Sequence, residues 1–166
     1  LDLFTLTLSE SIEEEFLVRV IQVQRYHDFS YGHRIVGGGR CENPHGHNAR
    51  VTFTLEGTPD ETGHVIGFEW IKKHYCQWLE DNWDHKMLLH HQDLLFKCLH
   101  ATPFNYDSVV YLPCHPTAEN LANHLFTMLK INAPLPPNGV SLMEIKWEET
   151  RKCAVIVKEV SQITSI

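Results

Sequence analysis

The chain has 166 residues, 43% of them hydrophobic and 21% charged, which suits one compact domain with a buried core. A net charge of −7 argues against a basic nucleic-acid surface, and no apolar run approaches the ~20 residues a membrane span needs. Five widely spaced cysteines with no CxxC pair argue against a disulfide framework and fit a reducing, cytoplasmic setting, and Leu1-Asp2-Leu3 lacks the basic n-region of a signal peptide.

Phe16 to His27 alternates and is rich in Val and Ile, which predicts a strand. Residues 28–46, with Gly37-Gly38-Gly39, read as a loop. His47 to Gly57 alternates again, with Ala49, Val51, Phe53 and Leu55 opposing Asn48, Arg50, Thr52 and Thr54; that predicts a half-buried strand before a turn at residues 58–63. From Phe68 to about Trp83, the spacing of Trp70, Ile71, Tyr75, Trp78 and Leu79 predicts an amphipathic helix. Thr117 to Leu129 reads as a second helix, with Thr117 as N-cap and Leu121, Ala122, Leu125, Phe126 and Leu129 as its buried stripe. After the break at Pro134-Leu135-Pro136-Pro137-Asn138-Gly139, Val140–Glu149 and Lys152–Val160 read as two strands around a tight turn. The order predicts an α+β fold: a four-stranded antiparallel sheet with two helices on one face, whose other face and edges need partners.

Twelve histidines prompt a search for a metal site. In Cys41-Glu42-Asn43-Pro44-His45-Gly46-His47-Asn48 the two histidines stand two apart at the mouth of a strand, so both imidazoles face one side. Gly46 is expected to let the backbone pass close to the ion. His33, where the first strand ends, returns beside His47 if the two strands pair. Three neutral nitrogens with one open position are the pattern of a catalytic zinc site. The bland alternative is a turn carrying solvated histidines. The remaining histidines are scattered over helices and turns and read as surface or packing residues.

Cys41, separated from His45 by three residues in a polar loop, is a candidate base or nucleophile, with an inert cysteine as the alternative. In Asp84-His85 the aspartate can hold the imidazole in one tautomer, although neighbours in sequence rarely pair side chains well; a capping Asp beside a surface His is the plain reading. Glu149 ends a strand. Buried, it could accept hydrogen bonds from a ring N–H and an exocyclic amine, as guanine-like and pterin rings offer; otherwise it is an exposed hairpin-end glutamate.

Phe29-Ser30-Tyr31-Gly32-His33-Arg34, Cys41-x3-His45-Gly46-His47-Asn48, Asp84-His85-Lys86, Pro116-Thr117-Ala118-Glu119-Asn120-Leu121-Ala122 and Glu149-Thr150 occur in this order along the chain. Together they resemble the 6-pyruvoyl-tetrahydropterin synthase / 6-carboxytetrahydropterin synthase family, from about Phe16 to Val157. The resemblance implies one domain over residues 1–166, with a core at about 16–157 and an N-terminal lead at 1–15. It implies a tunnelling fold, in which the sheets of several subunits join into a barrel and trimers pair into hexamers. It also implies zinc on His33, His45 and His47, a catalytic group of Cys41, Asp84 and His85 that can be shared between chains, and a pterin held by Glu149 with Thr117 beside it. The Cys-x3-His spacing resembles the bacterial carboxy type, which converts 7,8-dihydroneopterin triphosphate to 6-carboxytetrahydropterin. The pyruvoyl type resembles Cys-x5-His. Glu42-x2-His45-Gly46-His47 matches a third pattern, in which a glutamate serves a folate-type aldol cleavage to 6-hydroxymethyldihydropterin. Family members often carry Asp-Phe where this chain has Gly67-Phe68, a departure that bears on local packing. Arg34, Arg50 and Lys86 are candidates for gripping the triphosphate.

Overall fold

A computed structural model describes residues 20–100, 106–137 and 139–160. The N-terminal lead and the predicted start of the first strand at Phe16 lie outside the described residues. Strand β1 (Ile21–His33) pairs antiparallel with β2 (His45–Gly57). A 3-10 turn (Gly39–Glu42) lies between them. Helix α1 (Phe68–Ile71) passes through a π-helical turn (Lys72–Cys76) into α2 (Gln77–Asn82). Strand β3 (Lys86–His90), helix α3 (Leu94–His100) and strand β4 (Val109–Leu112) follow. Helix α4 (Ala118–Asn132) and the hairpin of β5 (Ser141–Thr150) and β6 (Cys153–Lys158) complete the order.

Among the described residues the sheet therefore has six strands, in the order β4-β3-β1-β2-β5-β6, and not the predicted four. It is also mixed, because β3 runs parallel to both β1 and β4. These two strands span five and four residues, too few to display a period of two. The predicted loop at residues 28–46 is strand at its ends, since 28–33 belong to β1 and 45–46 to β2, and is loop and 3-10 turn between them. Asp28, Ser30 and Gly32 look like turn formers, yet they alternate with Phe29, Tyr31 and His33, all buried on the inner face.

Both predicted helical runs form, the first interrupted by the π turn, and α3 is an additional helix that the sequence pattern did not predict. Thr117 caps α4 through its Oγ1, which accepts from the Asn120 amide at 3.3 Å. The helix ends where Ala133, next to Pro134, turns extended. Tyr75, Cys76 and Leu79 from the first helical run join Leu121, Leu125 and Leu129 of α4 in one core against Phe53, Ile145 and Trp147 of the sheet, so both helices cover the same face. The π turn brings two successive residues, Tyr75 and Cys76, into that core. Towards one end the core becomes an aromatic slab, in which Trp147 meets Phe29 and Tyr31 edge-on, each at 5.5 Å. No helix among the described residues is long and apolar enough to cross a membrane.

Candidate metal centre and active site

The slab carries the three-histidine cluster at its rim. In the β1–β2 register, His33 lies opposite His45, and Tyr31 opposite His47. All four residues are at odd positions, which face the core. Gly46 is needed for this pairing, since a Cβ there would stand 3.1 Å from the Tyr31 carbonyl oxygen. Its close approach is to the neighbouring strand.

His33 is 1% exposed, and its Nδ1 donates to the Pro116 carbonyl at 2.6 Å. His45 Nδ1 donates to the Asn43 carbonyl at 2.7 Å. A carbonyl can only accept, so each Nδ1 carries the ring proton and each Nε2 offers a lone pair. Those lone pairs converge: His33 Nε2 lies 3.2 Å from His45 Nε2 and 3.1 Å from His47 Nε2. The three ligand atoms lie within 4.8 Å of one another. His33 Nε2 and His45 Nε2, both acceptors at 3.2 Å, are set to share a cation, and His47 Nε2 can join them in its Nδ1-protonated tautomer. Burial also holds His33 and His47 below the usual histidine range, although Glu149 nearby pushes both the other way. Neutral imidazole is the form that ligates, so the donor set fits a divalent metal.

Glu149 sits at a bulge between Glu148 and Thr150, and its side chain turns inward beside the triad. Its Oε1 accepts from the Tyr31 hydroxyl at 3.0 Å. It also lies 3.7 Å from His33 Nε2 and 3.8 Å from His47 Nε2. At 23% exposure it is not a free hairpin-end glutamate. Burial, reinforced by this carboxylate, holds the Tyr31 phenol far above its usual range, so Tyr31 is a neutral donor.

Cys41 is half-buried on the 3-10 turn. It lines a cleft of about 340 Å³ together with His33, Thr117 and Glu149. One chain thus brings Cys41, a metal-ligand candidate and both pterin-side candidates together. Glu42, the next residue, is exposed and does not line this cleft.

Asp84 and His85 lie elsewhere. His85 is 81% exposed and lines a separate cleft of about 740 Å³ with His45, His47 and Lys86. The pair is nonetheless well made, against expectation: His85 Nδ1 meets Asp84 Oδ2 at 2.8 Å. His85 has a left-handed backbone (φ 57°), which costs a non-glycine residue roughly 1–2 kcal/mol and lets adjacent side chains meet. Its own amide donates to the Ser30 carbonyl, and the Ser30 amide donates to Asp84 Oδ1 at 2.9 Å. Burial raises the Asp84 carboxyl, but the Ser30 amide and His85 outweigh it and hold the group below its ordinary range.

Of the triphosphate candidates, Arg34 is paired to buried Asp93 at 2.8 Å and Arg50 is forked onto Asp28. The Lys86 Nζ donates to the Asp81 carbonyl, and the residue lines the cleft beside His45 and His47. Sequence reasoning did not assign Tyr31 a role. Its position two residues before His33 on the same face was the available signal.

The family model for 6-pyruvoyl tetrahydropterin synthase matches residues 22–160. Over 142 residues the chain is 33% identical to the 6-carboxy-5,6,7,8-tetrahydropterin synthase of Rickettsia typhi, covering 83% of this chain and 100% of that one. The corresponding protein of Rickettsia bellii is 35% identical over 108 residues, 64% of this chain and 78% of its own. Among solved structures, an uncharacterized protein from Wolinella succinogenes superimposes with a TM-score of 0.76 at 21% identity, covering 86% of this chain and 100% of its own. The Caenorhabditis elegans 6-pyruvoyl tetrahydropterin synthase gives 0.61 at 24% identity, covering 86% and 97%. These two likenesses concern the fold, whereas the family model and the Rickettsia typhi relative span most of the sequence, and on their strength the chain belongs to the 6-pyruvoyl tetrahydropterin synthase family.

Proposed function

We propose that the protein is a zinc-dependent lyase that converts 7,8-dihydroneopterin triphosphate to 6-carboxy-5,6,7,8-tetrahydropterin, with release of acetaldehyde and triphosphate, as a step towards queuosine-type 7-deazapurines. The observation that carries this reading is one cleft holding Cys41, His33 and Glu149, with three residues between Cys41 and the His45-Gly46-His47 pair. The Rickettsia relatives bear the name of that activity.

His33, His45 and His47 would hold the zinc, which when bound supplies a Lewis acid for oxygens of the pterin side chain. Glu149 takes the ring edge and sets the reacting carbon near the histidines, with Thr117 lining the pocket. Cys41 removes a proton from the side chain. His85, its tautomer set by Asp84, is the second acid–base group. Because Cys41 and His85 line different clefts of one chain, we propose that they meet across subunits of a homo-oligomer, a hexamer built as a dimer of trimers. The sheet's outer face would then line a barrel.

Incubating the purified protein with 7,8-dihydroneopterin triphosphate and identifying products by mass tests the proposal. Carboxytetrahydropterin with acetaldehyde supports it. A pyruvoyl product replaces it with the 6-pyruvoyl-tetrahydropterin synthase reaction, and ligand binding without turnover replaces it with a pterin- or purine-binding protein. A second reading rests on Glu42, whose exposed carboxylate overlaps the folate-type pattern. In that reading Glu42 drives a side reaction giving 6-hydroxymethyldihydropterin. Glu42→Gln is expected to remove that product at least tenfold while leaving carboxytetrahydropterin within twofold. Equal loss of both products in the same assay would end the second reading.

A further inference from the structure

Glu149 makes contacts that ring capture does not explain. Its Oε1 stands 3.7 and 3.8 Å from two of the three imidazole nitrogens that face the metal position. In a tetrahedral zinc site with bonds of about 2.0–2.1 Å, neighbouring ligand atoms are roughly 3.3–3.4 Å apart. The histidine pairs, at 3.1 and 3.2 Å, are close to that spacing, and Glu149 falls slightly outside it. The carboxylate is mostly shielded from solvent, and no Lys or Arg among the described residues pairs with it. The cation in reach is the one the histidines would hold.

We propose that Glu149 is the fourth ligand of that metal in the substrate-free protein, and that Tyr31 is the positioning residue that holds it there. The inference rests on the three-histidine reading. Tyr31 is 3% exposed and walled by Phe29 and Trp147, with ring centroids at 5.5 Å in both cases. Its hydroxyl therefore has one direction, towards Glu149 Oε1. The bulge at Glu149 turns the carboxylate to the same spot.

The arrangement has a consequence for binding. A gap of 3.7 Å between Glu149 and His33 has no room for a bicyclic ring. A pterin that reaches both Glu149 and the metal must first swing the carboxylate away. Glu149 then exchanges the metal for the ring edge, and the fourth position opens only as the ring is captured.

The test uses cobalt(II) as a spectroscopic substitute for zinc. Visible absorption and chelator-competition affinities are measured for the wild-type protein, Glu149→Gln, Tyr31→Phe and His33→Ala, with circular dichroism as a check on folding. Glu149→Gln is expected to change the cobalt spectrum and weaken binding about 10–100-fold, and Tyr31→Phe to weaken it about tenfold, the range seen when partners of metal ligands are removed. Adding the oxidised pterin neopterin to the wild-type protein should shift its spectrum towards that of Glu149→Gln. Unchanged spectrum and affinity in Glu149→Gln, with metal lost in His33→Ala, would overturn the fourth ligand and leave the triad standing. A wild-type protein that takes up no cobalt would overturn both.

Discussion

The Cys41→Ala protein is expected to turn over 7,8-dihydroneopterin triphosphate about 10²–10⁴-fold more slowly than the wild type, the usual contribution of a positioned acid–base group, while retaining its full complement of metal. The two halves of that result come from different parts of the site. Cys41 shares the cleft with His33 and Glu149, so its thiol is within the volume where a bound side chain would sit. It is not among the three converging nitrogens, which are held by the Pro116 and Asn43 carbonyls and by strand pairing. The 3-10 turn that carries Cys41 buries none of its residues, so loss of the sulfur should not unfold the chain. Steady-state kinetics with elemental analysis of the same preparation checks both halves. Undiminished turnover would remove Cys41 from the mechanism, and lost metal would recast it as a ligand.

His33→Ala has the larger expected effect. It removes one of the three proposed ligand nitrogens, and with it the donor to the Pro116 carbonyl. Metal content should fall well below one equivalent, and kcat should drop about 10³-fold or more, since an ion stabilising developing charge is worth several kcal/mol. A buried carbonyl left without its donor costs about 1–3 kcal/mol. At about 2–4 °C per kcal/mol for a domain of this size, Tm should fall by roughly 2–12 °C, with cooperative unfolding retained. The triad lies at the rim of a core that extends along the six-stranded sheet well beyond it, so a chelator should stop turnover without melting the fold. Chelation that unfolds the wild-type protein would instead mark the metal as structural. Stoichiometric metal in His33→Ala would take His33 out of the ligand set.

Legibility along the chain followed the strength of the local signal. The alternation from Ala49 to Leu55 and the stripe from Leu121 to Leu129 are long and regular, and the structure has β2 and α4 there. Strands β3 and β4 were invisible because five and four residues cannot establish a period, and because β3 closely follows a helix. The end of β1 was hidden by its own outer face, where Asp28, Ser30 and Gly32 imitate a loop. The Asp84–His85 pair was undervalued for a different reason. Its hydrogen bond depends on a left-handed backbone at His85, which no side-chain pattern announces.

Within the site, the histidines were readable because strand geometry makes residues two apart share a face, which is a rule of covalent spacing. That rule alone brings His45 and His47 to one side, and it equally aligned Tyr31 with His33. What it cannot supply is the approach of groups distant in sequence. The Tyr31 hydroxyl reaches a glutamate 118 positions away, and the His33 proton is taken by a carbonyl 83 positions away. Cys41 and Glu149 share a cleft only because β2 pairs with β5 and a bulge then turns one side chain inward. The residue types and local spacings that can bind a metal and move a proton were thus determined by the sequence itself. Which carboxylate stands over the metal position, and which histidine lies outside the cysteine's cleft, was decided by strand order and register, because those depend on the burial of the whole aromatic core.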